Sequence, residues 1–159
     1  MLSFKKIIFT SLFFLSACGY TPLSNDKSSQ SLIGQVSFQK PNSQDDFIFY
    51  SRLNDRFADF GDRYFLDYEI SSSTEDKALN FNDTAHRIEI FSSVTFSLKD
   101  KKNGTELLSD KEEMYLSYSN SGSTAAVLNA QKNTNEQLIV LLADKVANRI
   151  SRVLIEESL

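Results

Sequence analysis

Apolar residues along this chain recur at two spacings, every second residue or roughly every 3.6, and each switch between them marks an element. From Leu32 to Gln39, Leu32, Gly34, Val36 and Phe38 alternate with Ile33, Gln35, Ser37 and Gln39, which predicts a half-buried strand that Lys40-Pro41-Asn42-Ser43 ends. From Gln44 to Phe60 the spacing becomes helical, with Phe49, Leu53, Phe57 and Phe60 on one stripe and Tyr50 beside it. Asp45 and Asp46 suit the positive end of that helix, and Gly61 is placed to terminate it. The period returns to two from Arg63, where Tyr64, Leu66, Tyr68 and Ile70 share a face opposite Asp67 and Glu69. Ser71 to Lys77 reads as the frayed end of that strand or a surface loop, and Asn80-Phe81-Asn82-Asp83 as a turn.

The clearest alternation follows. Ile88, Ile90, Val94, Phe96 and Leu98 interleave with Arg87, Glu89, Ser93, Thr95 and Ser97, and a second run from Glu106 to Tyr118 carries Leu108, Met114, Leu116 and Tyr118 in phase. Asn103-Gly104 between them favours the positive dihedrals of a turn, so the pair is expected to be a long antiparallel hairpin. After the break at Ser119-Asn120-Ser121-Gly122-Ser123 the chain is helical in character from Thr124 to Glu156, with Ile139, Leu142, Val146, Ile150 and Val153 as its stripe. The order β-α-β-β-β-α predicts an α+β fold, a two-layer sandwich with a four-stranded, mostly antiparallel sheet and two helices on one face. Whether the first strand lies beside the second strand or beside the hairpin stays open.

The amino terminus follows a different logic. Lys5-Lys6, the apolar run Ile7 to Leu15, and then Ser16-Ala17-Cys18 form a basic region, a short hydrophobic region and a small-residue cleavage point. The run is about half the ~20 residues that span a bilayer. Cys18 is the sole cysteine and stands where the pattern Leu-small-small-Cys places a lipidated residue. The expected organisation is a signal peptide over 1–17, a lipidated amino terminus and polar tether over 18–31, and one domain over 32–159. Gly19, where an Asp would signal inner-membrane retention, resembles cargo of the outer membrane, so the expected location is that membrane, lipid-anchored on its periplasmic face in a Gram-negative bacterium. Several acyl chains on one cysteine, at about 0.8 kcal/mol per buried methylene, make such an anchor effectively permanent.

Cleavage removes Lys5 and Lys6 and no acid, taking the formal charge from −4 to −6, which leaves no basic footprint for nucleic acid. With Cys18 consumed, the mature chain has no thiol nucleophile, disulfide or thiolate ligand. His86 is the one histidine and has neither a second histidine nor a cysteine to share a metal, and no serine sits in a Gly-x-Ser-x-Gly elbow. Glu112 and Glu113 are adjacent on a predicted strand and point to opposite faces. Asp100 to Gly104 has lysines where a calcium loop needs oxygens. No enzyme, cofactor or metal is therefore expected beyond the covalent lipid.

Two features bear on binding. Arg87, Lys99, Lys101, Lys102 and Lys111 place basic charge along the hairpin, either as guards of an exposed turn and edge or as a patch for lipid phosphates. Thirteen Phe and six Tyr exceed what two helix stripes need, and Phe65 and Phe91 fall on the polar faces of their strands, where a partner would meet them.

Ala17-Cys18-Gly19-Tyr20-Thr21-Pro22-Leu23, Arg52-Leu53-Asn54-Asp55-Arg56-Phe57 and Ala143-Asp144-Lys145-Val146-Ala147-Asn148-Arg149-Ile150, with the long hairpin, together resemble the LPS-assembly lipoprotein (LptE) family. That resemblance implies a non-enzymatic outer-membrane lipoprotein that plugs the LptD barrel, supports its assembly and binds lipopolysaccharide during transport to the outer leaflet. The lipopolysaccharide-contacting positions, Arg87, Lys99, Lys101, Lys102 and Lys111, are assigned on charge alone. The alternative expectation is an auxiliary lipid-binding lipoprotein of another envelope transport complex.

Overall fold

The structure is a computed structural model that describes residues 34–77 and 87–157. The expected signal peptide, Cys18, the expected tether, Leu32, Ile33, the expected turn at Asn80 to Asp83 and His86 lie outside the described residues. Six elements follow in the expected order: β1 (Val36–Phe38), α1 (Gln44–Phe57), β2 (Tyr64–Lys77), β3 (Arg87–Asp100), β4 (Glu106–Ser119) and α2 (Thr124–Glu156). The sheet runs β1-β2-β3-β4, with β1 parallel to β2 and the other neighbours antiparallel. This settles the open strand order: β1 pairs with β2. The connection from β1 through α1 to β2 is the crossover that a parallel pair requires.

Alternation decides which face is buried. Tyr64, Leu66 and Tyr68 of β2 and Val94, Phe96 and Leu98 of β3 point to one side, where they meet Phe49, Leu53 and Phe57 of α1 and Ile139, Leu142, Val146 and Ile150 of α2. Aromatic contacts join the layers, with Phe49 and Tyr68 rings 4.7 Å apart and Phe38 edge-on to Tyr50 at 6.1 Å. A second, smaller cluster of Ile90, Tyr118 and Leu138 continues under the first half of α2. The α2 stripe is shifted from the expected one at its end, where Leu154 is buried and Val153 only half-buried. No described helix is long and apolar enough to cross a membrane.

Strand β1 is confined to Val36–Phe38, shorter than the expected run from Leu32 to Gln39, because Gly34 (φ 76°) and Gln35 form a turn before it. Three further boundaries differ from the sequence-based expectation. The helix α1 stops at Phe57, three residues short of Phe60, because Ala58 takes a left-handed conformation (φ 55°) and its N–H bonds back to the Asn54 carbonyl. Asp59 then turns inward: its carboxylate accepts from the Phe38 N–H (2.8 Å) and the Tyr50 hydroxyl (2.6 Å), anchoring β1 to α1. Phe60 is left 73% exposed, and Gly61 serves a close approach, since a Cβ there would fall inside the backbone of Gln35 and Val36. Second, Ser71 to Lys77 is strand, paired residue for residue with β3 from Ser71↔Ser93 to Lys77↔Arg87. Third, the hairpin turn is wider than a two-residue Asn-Gly turn. Only Gly104 has positive φ (70°), Asp100 and Asn103 side chains accept from the N–H groups of Lys102 and Thr105, and the ladder shifts register at Leu98/Lys99.

Candidate functional site

Both helices lie on one side of the sheet, so the alternate residues of β2, β3 and β4 form a second face with no helix on it among the described residues. Register places the side chains. Phe91 on β3 stands opposite Tyr115 on β4, with exposures of 37% and 64%, and Glu89, Glu113 and Lys111 flank the pair. The odd residues of β3 bond toward β2, so Phe91 and Tyr115 form a non-hydrogen-bonded pair, the closer of the two antiparallel geometries. Phe65 is half-buried on the same face. The placement of Phe65 and Phe91 follows the sequence reading; Tyr115 was missed, although it falls in the odd phase of β4 and was legible there.

The five basic candidates do not form one patch. Arg87 and Lys99 share the open face but sit at opposite ends of β3, about 40 Å apart at strand rise. Lys111, in the middle of β4, is ion-paired with Glu113 at 2.6 Å. Lys99, Lys101 and Lys102 do share one end, where the Lys101 ammonium donates to the Gly61 carbonyl (3.2 Å) and its N–H to the Arg63 carbonyl (2.9 Å).

On this face lies a shallow hollow of about 470 Å³ in which Asp67, Glu69 and Glu106 stand among Thr95, Ser97 and Ser109. It is not legible in the sequence, because Glu106 joins the other two only through the β2-β3-β4 register. Among the described residues no group of three or more His, Cys, Asp or Glu is arranged to hold a metal.

The helix side is locked by charge. Arg52 donates two hydrogen bonds, both 3.0 Å, to Asp144, and Arg56 adds a third at 3.3 Å, joining α1 to α2. Partial burial pushes the Asp144 carboxyl up, but the hydrogen bonds and charge of Arg52 and Arg56 outweigh it and hold it below the usual range. On the other flank Arg149 bonds Asp110 (2.8 Å) and Lys145 bonds Glu112 (3.3 Å), so acids that fall on the helix-facing side of β4 are paired by α2. The Arg149 hydrogen bonds hold Asp110 below its ordinary value. On the outer surface of the helix layer Phe47 and Leu141 are exposed beside Val140.

Solved structures share this arrangement. A predicted lipoprotein from Caulobacter crescentus CB15 matches with a TM-score of 0.65 at 18% identity, covering 81% of this chain and 96% of its own. Rare lipoprotein B from Shewanella oneidensis matches with a TM-score of 0.60 at 14% identity, over 79% of this chain and 98% of its own. The chain has the fold of rare lipoprotein B. A minor lipoprotein from Acinetobacter baumannii also matches, with a TM-score of 0.56 at 19% identity over 75% of this chain and 91% of its own. No family model matches the chain, and no curated protein matches it significantly in sequence. The rare lipoprotein B fold agrees with the resemblance to the LptE family read from the sequence. At these identities it is the architecture that is shared.

Proposed function

We propose that this protein is an outer-membrane lipoprotein, anchored through Cys18, that acts without catalysis as plug and assembly partner of the LptD barrel in lipopolysaccharide transport. The observation that carries the reading is the likeness to nearly the whole of rare lipoprotein B, in a chain that opens with a lipidation pattern. The sheet face supports it: an exposed aromatic pair set in a polar, mixed-charge surface suits a partner that is itself polar where it is lined. Of the five basic candidates, Lys99, Lys101 and Lys102 are the ones suited to meet a phosphate-bearing lipid together, since they share one end of the sheet.

The test is affinity purification of the tagged, lipidated chain from solubilised outer membranes. The expected result is near-equal recovery of the LptD barrel, with mature barrel lost when the lipoprotein is depleted. Recovery of intact, lipidated bait without the barrel would sink this reading and leave the auxiliary lipid-binding lipoprotein of another complex.

A further inference from the structure

The two edges of the sheet are treated differently. On β4 the odd residues point their backbone groups outward, and the Lys145 ammonium of α2 already occupies one of them, the Glu113 carbonyl (3.3 Å). On β2 the outward groups are those of the even residues, because the Tyr64 N–H bonds to the Gln35 carbonyl and the Leu66 carbonyl accepts from the Gln39 N–H. There β1 ends: its register with β2 stops at Phe38↔Leu66, and Pro41 follows with no N–H to continue a ladder. The strand β2 runs on to Lys77, and residues 71–76 are exposed. The N–H and C=O groups of Ile70, Ser72, Thr74 and Asp76 therefore face away from β3. From Ile70 to Thr74 this stretch has no proline and no charged side chain, and its register with β3 is unbroken, whereas Glu75, Asp76 and Lys77 place charge only at its outer end.

We propose that this edge of β2, with the acidic hollow beside it, docks a basic extended segment of another protein by strand addition. Backbone pairing along positions 70–76 supplies the affinity, and the charge supplies the selectivity. Asp67 and Glu69 stand exposed on the open face at the inner end of the edge and line the hollow with Glu106, so a Lys or Arg of the incoming strand meets carboxylates there. A second copy of this chain is the disfavoured occupant, because its formal charge of −4 has the same sign as the hollow that the incoming strand must meet. The inference does not depend on the barrel reading, and its test contains no barrel, so either can fail alone.

The test uses the full lipidated chain in nonionic detergent and a fluorescent peptide of about ten residues that alternates Lys and Val, compared with one that alternates Glu and Val. The Lys-Val peptide should bind at least about tenfold more tightly by anisotropy. Thr74→Pro removes one outward N–H without touching the β2-β3 ladder, so it should abolish most of that binding while far-UV circular dichroism stays unchanged. Asp67→Asn with Glu69→Gln should weaken binding and flatten its salt dependence. Should Thr74→Pro fail to fold, hydrogen exchange on the unsubstituted protein decides: the amides of 70, 72, 74 and 76 should gain protection with the peptide, and those of 71, 73 and 75 should not change. Equal binding by a folded Thr74→Pro would reduce the site to charge alone and overturn the proposal. A dimer of the chain by itself, lost in Thr74→Pro, would overturn it too and name a second copy as the occupant.

Discussion

The half of the molecule near the β3-β4 turn and the half beyond Ile70 are built on the same strands, yet only the first has a full core. Near the turn both helices lie on the sheet, and Val36, Leu66, Leu98, Leu53 and Leu142 are completely buried. Beyond Ile70 the helix-facing positions of β2 are Ser72, Thr74 and Asp76, all exposed, and the cluster beneath α2 reduces to Ile90, Tyr118 and Leu138. Rise per residue explains the difference. The helix α1 and the strand β2 each have 14 residues, but a helix advances 1.5 Å per residue and a strand about 3.3 Å, so α1 covers about 21 Å of a strand about 46 Å long. The 33 residues of α2 span about 50 Å and match the full strand. One half of the sheet is therefore under two helices and the other under one, as the observed element lengths require.

The largest expected effects separate the halves directly. Leu142→Ala opens a cavity between α2 and the sheet where the side chain is fully buried, and should cost about 3 kcal/mol in urea unfolding. Leu128→Ala, near the start of the same helix but 58% exposed, should change stability by less than about 0.5 kcal/mol. Similar costs for the two would break the comparison. Next in size is Gly61→Ala. Its new methyl group has nowhere to go but into the Gln35 and Val36 backbone, so β1 must shift from β2, at a cost of about 2 kcal/mol. That change should also leave Val36 and Phe38 open to proteolysis before the rest of the sheet. A melting temperature unchanged from that of the parent would show that β1 yields freely.

How much of this was legible in the sequence depends on whether a position was decided by local pattern or by register. The element order, the two-layer fold and the bounds of α2 came from periodicity, which is a property of each segment by itself. The extension of β2 through Ser71 to Lys77 did not, because Ser-Ser-Ser-Thr has no apolar alternation and is held as strand by its fourteen-residue pairing with β3. The end of α1 differs for a related reason: Gly61 has the look of a helix stop, while the stop is made by Asn54, which accepts from the Ala58 and Asp59 N–H groups, and by Asp59, whose own partners Phe38 and Tyr50 are brought there by the fold. The basic candidates illustrate the limit for function. Counting charges along a hairpin put Arg87 and Lys99 together, whereas a strand of that length keeps them at opposite ends. The acidic hollow went unseen because Asp67, Glu69 and Glu106 come from two strands that meet only across β3.

The smallest expected effect concerns the clamp that holds the two helices together over the closed half. Asp144 has its carboxyl lowered by Arg52 and Arg56, so the linkage has a fixed sign: a group depressed on folding contributes stability above its unfolded value, near 3.9, and loses that contribution as pH falls through the folded value. Both arginines are more than a third exposed, so solvent screening keeps the contribution below about 1 kcal/mol. Asp144→Asn should therefore destabilise the protein slightly at pH 7, and hardly at all at a pH below the folded value, where the native carboxyl is already neutral. Urea unfolding of both proteins across that range reads the difference as a convergence of two curves. Parallel curves would show that Arg52 and Arg56 hold Asp144 no more tightly in the folded protein than water does, and that α1 stays on the sheet through Phe49, Leu53 and Phe57 alone.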